Sequence, residues 1–240
     1  LHAASGEEWL LQAADECMRQ LLEQSFPGSQ GLYWDRSPQT ISGLCGYSHG
    51  AAGMAATFLE CGNYFQNPAY FDLAELAFLY ENSHYSEETN NWPDLRNGIY
   101  NDEDKEKHRK AYEEENWDFF SKGGDMNAWC HGAAGIGHSR VRAVQLLKKD
   151  FYKHQLELCL EKTKQTDVNM AEARIKPTFT LCHGNGGNAE IFLEAYRVLG
   201  DEQYLDLAAT VAKNGLKSYG ELKKYLPGYR LEMEKEDRSM

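Results

Sequence analysis

His49-Gly50-Ala51-Ala52-Gly53, His131-Gly132-Ala133-Ala134-Gly135 and His183-Gly184-Asn185-Gly186-Gly187 are three copies of one pattern, His-Gly-x-x-Gly. Each copy precedes a segment in which apolar residues recur at helical spacing, which indicates an amphipathic helix. Each of these segments then breaks, and a second apolar helical segment begins a few residues later. The repeated unit is therefore a Gly-rich turn, a helix, a short loop and an antiparallel helix.

The spacing of the repeat is the same in all three copies. Tyr70, Tyr152 and Tyr204 each lie 21 residues after the histidine of their own turn, and each opens the second helix. Helical hairpins of this kind stack side by side, because one hairpin alone cannot bury its apolar face. The glycines favour closure of the stack, since they permit tight turns and close backbone approach where the inner helices begin. We therefore predict an all-α fold, an α/α toroid of helical hairpins.

The segments outside the repeat predict how the chain is organised. Residues 8–24 are expected to form the outer helix of an earlier repeat, and no Gly-rich turn follows Leu226-Pro227-Gly228. We therefore expect a single domain, residues 1–240, whose ring is incomplete at both ends. Residues 81–128 separate the first copy from the second as an insertion. Its charged stretch, Asp102 to Glu115, predicts a solvated helix or loop, which serves as a lid, as a peptide-docking surface or as plain surface.

Composition excludes several classes of function. The net charge is -12, from 37 acidic and 25 basic residues, and such a surface repels a nucleic-acid backbone. No apolar run reaches the ~18 residues that would span a membrane. The six cysteines are widely spaced and do not form a disulfide framework, so a reducing, cytoplasmic location is expected.

The tripeptide Cys-His-Gly stands at equivalent places in two repeats, as Cys130-His131-Gly132 and Cys182-His183-Gly184. Both cysteines precede inner helices, so both are expected to face one centre. Two thiolates and an imidazole suit Zn²⁺, and three protein ligands leave the fourth position open, as in catalytic zinc sites. Taken singly, each cysteine is more often a small core residue. The residues alone do not decide between His131 and His183 as the nitrogen ligand.

The first repeat has Ser48 where the other two have cysteine, and His49 follows it. A histidine that faces the centre without binding the metal suits a general acid or base. The alternative is a turn histidine bonded to the backbone. Tyr47 and Arg140 are weaker candidates for the same centre, and a structural role fits Arg140 equally well.

The choice of ligands also indicates the chemistry. Two thiolates donate charge to the zinc and make it a poor activator of water. A site with sulfur ligands and one open position is better suited to holding a substrate thiol as thiolate at neutral pH. The pattern therefore predicts attack of a thiolate on an electrophile. Paired carboxylates, as in an α/α glycosidase, are disfavoured, because Asp94 and Asp125 do not recur in register with the repeats.

Four ordered motifs resemble the lanthionine synthetase C-like family: Gly46–Gly53, Asn91–Arg96, Ala128–Gly137 and Leu181–Asn185. The stretch Asn-Trp-Pro-Asp-Leu-Arg looks most like the C-terminal cyclase domain of class II lanthipeptide synthetases. The resemblance covers essentially the whole chain and implies a double-layered α/α toroid, a catalytic zinc and a peptide substrate. The family's earlier Gly-rich motif with its acidic residue, and its last Gly-rich motif, have no match here.

By this resemblance the zinc ligands are Cys130, Cys182 and His183, and the acid or base is His49. The implied reaction is addition of a peptide cysteine to dehydroalanine or dehydrobutyrine, which forms the thioether rings of a bacterial lantibiotic. The implied partners are a dehydrated precursor peptide and a dehydratase domain that this sequence does not contain. The alternative is a related module that binds zinc and a thiol, glutathione or peptide without cyclising it. His138 occupies a position where an aliphatic residue is expected.

Overall fold

A computed structural model describes residues 1–35, 42–96, 101–122, 125–168 and 178–219. These parts of the chain are mainly helical, with little other regular structure. The helices are α1 (His2–Ser5), α2 (Glu8–Glu23), α3 (Ala51–Phe65), α4 (Ala69–Asn82), α5 (Asp102–Glu113), α6 (Trp117–Ser121), α7 (Ala133–Leu147), α8 (Asp150–Asp167), α9 (Asn185–Leu199) and α10 (Glu202–Tyr219). None of them is long and apolar enough to cross a lipid bilayer.

The predicted helical hairpins are confirmed: α3 pairs with α4, α7 with α8, and α9 with α10. The first helix of each hairpin begins directly after the glycine of its His-Gly turn, at Gly50, Gly132 or Gly184. Each of these helices ends at a residue in the left-handed conformation, and only two or three residues link it to the next helix. Such short links reverse the chain direction, so the paired helices run antiparallel.

The hairpins stand side by side. Helix α7 packs against both α3 and α9, so the first helices of the three hairpins lie next to one another, with α7 in the middle. The second helix of each hairpin packs on its own partner. This is the arrangement predicted for an α/α toroid, and it brings the three His-Gly turns to the same end of adjacent helices.

Two apolar clusters hold the hairpins together. The first cluster lies around α3 and α4 and includes Phe58, Leu59 and Phe78. The second lies between α7, α8, α9 and α10, with Leu156 and Phe192 among its fully buried members. These are the faces that the helical spacing marks as apolar, and their burial supplies the main stabilising free energy of the packing.

Outside the hairpins the structure both confirms and extends the predictions. The helix expected over residues 8–24 is α2, and the charged stretch in the insertion forms α5. A two-stranded antiparallel sheet, β1 (Phe26–Gly28) and β2 (Gly31–Tyr33), was not predicted; β2 packs against α4. Residues 220–240, on which the expectation about the C-terminal end of the ring depends, lie outside the described residues.

Candidate metal centre

The side chains of Cys130, Cys182 and His183 meet at one point, with their ligand atoms all within 4.8 Å of one another. The Nε2 atom of His183 lies 3.5 Å from Sγ of Cys130 and 3.8 Å from Sγ of Cys182. A tetrahedral zinc with bonds of about 2.3 Å to sulfur and about 2.0 Å to nitrogen separates these ligand atoms by about 3.6 Å. The donor set and its spacing therefore fit a zinc ion.

The cluster is closed on one side and open on the other. Cys130 is buried, Cys182 is half-buried and His183 is exposed. Burial and the neighbouring thiol of Cys182 raise the pKa of Cys130 to about 11, so without a cation the Cys130 thiol stays protonated at neutral pH. A divalent cation reverses this preference, because it stabilises the thiolate form. The exposed side leaves room for a further ligand.

A tight turn before α7 holds Cys130 in place. The backbone N–H groups of Ala128 and His131 donate to each other's carbonyls, at 2.8 and 3.1 Å, so the chain folds back at Cys130. Gly132 follows with φ +81° and caps α7. A Cβ atom there would lie 2.2 Å from the carbonyl oxygen of Met126, so only glycine fits this turn.

The turn before α9 carries the other two candidate ligands. The backbone N–H groups of Asn185 and Gly187 donate to the carbonyls of Thr178 and Thr180, each at 3.0 Å. These bonds close the loop around Cys182 and His183 and direct both side chains toward the turn of Cys130. The two Cys-His-Gly turns thus meet, as their equivalent places in the repeat predicted.

The turn before α3 abuts the cluster through its backbone. The N–H of Ser48 donates to the carbonyl of Cys130 at 3.1 Å, and His49, the next residue, is exposed. Tyr47 is half-buried, and its ring packs at 5.5 Å against the rings of both Trp129 and His138. The structure therefore brings the turn that carries His49 and Tyr47 next to the cysteine turn.

His131, the competitor of His183, lies apart from the cluster. It is buried, and burial lowers its pKa, although nearby Asp94 opposes the shift. The carbonyls of Trp92 and Pro93 lie near the ring, yet neither ring nitrogen has a hydrogen-bond partner of good geometry among the described residues. Of the two histidines, His183 is the one that the structure groups with the two thiols.

Arg140 also lies apart from the cluster, in a buried ion pair. Its Nη2 atom lies 2.8 Å from Glu81, and both side chains are fully buried. Gln155 accepts a hydrogen bond from its Nε at 2.7 Å, and the guanidinium lies over the ring of Phe78. These contacts join α4, α7 and α8, which is the structural role that the sequence allowed for Arg140.

Two further polar pairs, Asp94 with Arg96 and His138 with Glu194, were not assigned a role from the sequence. Asp94 accepts two hydrogen bonds of 2.8 Å from Arg96, and the charge of Arg96 acts to lower the pKa of Cys130, against the larger effect of burial. His138 hydrogen-bonds Glu194 of α9 at 3.0 Å. In the sequence, Asp94 and Arg96 are part of the motif Asn91–Arg96, and His138 stands where an aliphatic residue is expected. The spacing of these residues did not predict which side chains they contact.

The comparison with known families agrees with this geometry. Residues 4–238 match the model of the lanthionine synthetase C-like protein family. The chain belongs to this family. The match confirms the family resemblance and accords with the helical fold of this lanthionine synthetase C-like protein. The closer likeness to class II cyclase domains and the assignment of residues 1–240 to one domain stay predictions.

Replacement of Gly132 by alanine is expected to destabilise this lanthionine synthetase C-like protein by about 3 kcal/mol or more. The backbone of Gly132, at φ +81° and ψ -170°, lies in a region that only glycine adopts readily and that costs about 1–3 kcal/mol for a residue with a Cβ atom, and the clash with Met126 adds to it. Gly200→Ala is the matched control, since Gly200 has φ +71° with nothing within 4 Å of its added Cβ. Urea unfolding of both variants measures the difference, and equal losses would contradict the clash.

Proposed function

We propose that this chain is a zinc-dependent cyclase that joins cysteine thiols of a peptide to dehydroalanine or dehydrobutyrine residues and so forms lanthionine-type thioethers. The observation that carries the proposal is the cluster of Cys130, Cys182 and His183, with its zinc-like spacing and one open side. Membership in the lanthionine synthetase C-like family supports the same reaction.

The candidate ligands fit the chemistry required of the site. When bound by these three residues, Zn²⁺ lowers the pKa of a substrate thiol and so provides a nucleophile at neutral pH. The buried Cys130 and half-buried Cys182 exclude water from one side of the centre, and the exposed His183 side admits the peptide. Arg96, held by Asp94, adds a fixed positive charge near Cys130.

The remaining step is a proton transfer. The thiol loses its proton, sulfur bonds to the β-carbon of the dehydro residue, and the resulting enolate takes up a proton at the α-carbon. His49 is the proposed proton donor, because its turn contacts the carbonyl of Cys130 through Ser48 and its side chain is exposed. One proton leaves the thiol and one proton is added at the α-carbon, so the overall reaction neither consumes nor releases a proton and needs no oxidant or reductant.

The proposed substrate is a dehydrated precursor peptide, and the proposed setting is the cytoplasm, together with a dehydratase of the class II type. A direct assay incubates the purified chain with zinc and a chemically or enzymatically dehydrated peptide. Ring closure leaves the peptide mass unchanged and consumes its free thiols, so labelling with N-ethylmaleimide followed by mass spectrometry counts the rings formed. Zinc and thiol binding without loss of free thiols would support the non-cyclising binding module instead.

His49→Asn is expected to lower the cyclisation rate by about 10²–10⁴-fold, the usual contribution of a positioned acid or base. The zinc content is expected to stay unchanged, because His49 is not one of the three candidate ligands. His154→Asn is the matched control, since His154 is an exposed histidine on α8. The N-ethylmaleimide assay gives the rates, and a wild-type rate for His49→Asn would remove His49 from the mechanism.

A further inference from the structure

We propose that Asn91, Asn127 and Asn188 are positioning residues that fix the turn of Cys130 against the turn of Cys182 and His183 before any metal binds. We name these three asparagines the asparagine clamp. The inference rests on the metal centre of the proposed function. It concerns how the ligand geometry is built, and it assigns a role to residues that the reaction itself does not use.

The first turn of α7 has free backbone N–H groups that need acceptors. The residue that caps this helix is Gly132, which has no side chain to accept the first free N–H groups of the helix. Distant asparagines accept them instead: Oδ1 of Asn91 accepts from the N–H of Ala133 at 2.8 Å, and Oδ1 of Asn127 accepts from Ala134 at 2.7 Å. The helix that follows Cys130 is therefore anchored by residues outside it.

The same two side chains hold the loop in front of Cys130. The amide of Asn91 donates to the carboxylate of Asp125 at 2.6 Å and to the carbonyl of Met126 at 2.9 Å. Asp125 is in turn paired with Lys162 of α8. Asn91 therefore bonds to both ends of the stretch that contains Cys130, and its side chain is buried. A buried asparagine with acceptor and donor groups both engaged has one orientation only.

Asn127 ties this loop to α8. Its amide donates to the hydroxyl of Thr166 at 2.8 Å and to that of Thr163 at 3.3 Å. The loop is thus bonded to the start of α7 and to the last turns of α8, two helices of one hairpin. This leaves the Cys130 turn little freedom to move relative to the second hairpin.

Asn188 connects the third hairpin to this framework. It lies in the first turn of α9, five residues after His183, and its amide donates to the backbone carbonyl of Asn127 at 2.9 Å. Asn188 is buried, so water does not readily replace this bond. One hydrogen bond thereby links the turn that carries Cys182 and His183 to the loop that carries Cys130.

The consequence is a preformed ligand set. Nε2 of His183 lies 3.5 Å from the sulfur of Cys130 and 3.8 Å from that of Cys182, near the spacing that a tetrahedral zinc imposes. Loss of a partner that orients metal ligands typically weakens metal binding by about 10–100-fold. We therefore expect Asn188→Ala and Asn127→Ala to weaken zinc binding by such a factor while all three ligands remain.

The test measures the zinc dissociation constant of the full chain by competition with a chromophoric chelator, and the electronic spectrum of the Co²⁺-substituted protein. We expect both variants to bind zinc about 10–100-fold more weakly and to change the cobalt ligand-field bands. The control is Asn101→Ala, which removes the same kind of cap from α5, where Oδ1 of Asn101 accepts from the N–H of Asp104 at 2.9 Å. This control is expected to keep the wild-type constant and spectrum.

The possible outcomes distinguish a failure of the asparagine clamp from a failure of the proposed metal centre. Wild-type zinc affinity and an unchanged cobalt spectrum in Asn188→Ala would overturn the clamp while leaving the proposed cyclase intact. A wild-type protein that binds no zinc would instead overturn the metal centre and with it the clamp. If circular dichroism shows that Asn127→Ala loses helix, Asn188→Ala decides the question, because it removes only the bond to the carbonyl of Asn127 and an interaction with Asp167.

Discussion

Cys130→Ala is expected to abolish stoichiometric zinc binding and thioether formation together. Cys130 is the buried member of the candidate cluster, and its sulfur lies 3.5 Å from the nitrogen of His183. Without it, only one thiol and one imidazole remain to hold the ion. The loss in zinc affinity should exceed the about 100-fold that removal of an orienting partner costs. Metal analysis after gel filtration and the thiol-labelling assay measure the two effects.

The matched control for this experiment is Cys61→Ala. Cys61 is a free, partly buried cysteine on α3 that is not in the described ligand cluster. Its loss should leave both zinc content and ring formation near the wild-type level, apart from a modest change in stability. A Cys130→Ala protein that retains one equivalent of zinc would show that the cluster is not the metal site. Retained cyclisation without zinc would refute the proposed chemistry itself.

Arg140→Met is expected to destabilise the protein by about 3–5 kcal/mol at pH 8, because it leaves the Glu81 carboxylate buried without its cation. Gln155 and Asn82, which also receive hydrogen bonds from Arg140, lose a donor at the same time. Urea unfolding followed by circular dichroism measures the change in unfolding free energy. The substitution lowers the stability of the fold and does not change the candidate zinc ligands, so the variant should still bind zinc at temperatures where it is folded.

The penalty should depend on pH in a defined direction. Burial raises the pKa of Glu81 to about 7, and the charge of Arg140 offsets only part of that shift. A raised pKa in the folded state means that this carboxyl contributes stability below its unfolded pKa of about 4.5 and loses that contribution as the pH rises through about 7. Removal of Arg140 raises the pKa further, so the loss extends above pH 7. Arg140→Met should therefore be milder at pH 5 than at pH 8.

Two comparisons isolate this buried pair. Arg142→Met, on the same helix, removes a partly exposed ion pair with Glu60 and should cost less than about 1 kcal/mol. The double variant Glu81→Leu/Arg140→Met leaves no unpaired charge and should be less destabilised at pH 8 than Arg140→Met alone. A pH-independent loss in Arg140→Met would contradict the assignment of the effect to the Glu81 carboxyl.

The periodic part of the fold was predictable because it is local. The spacing from each His-Gly turn to its tyrosine fixes the length of a helix and its loop, and the structure places α3, α7 and α9 directly after those turns. The strands β1 and β2 were not predicted, because they are only three residues long and one of them packs on α4, a contact that no local pattern encodes.

In the candidate site, too, some features could be predicted from the sequence and others could not. The sequence by itself determined that Cys130 and Cys182 occupy equivalent places, since the tripeptide recurs in register with the repeat. The residues alone left His131 and His183 open, and the family resemblance pointed to His183. The tertiary structure shows that His183 lies with the two thiols while His131 is buried apart from them, and it alone shows that Arg140 pairs with Glu81. Repeat spacing fixes where a backbone begins its helix, whereas the direction of each side chain depends on neighbours that are distant in sequence, such as Asn91 and Asn188.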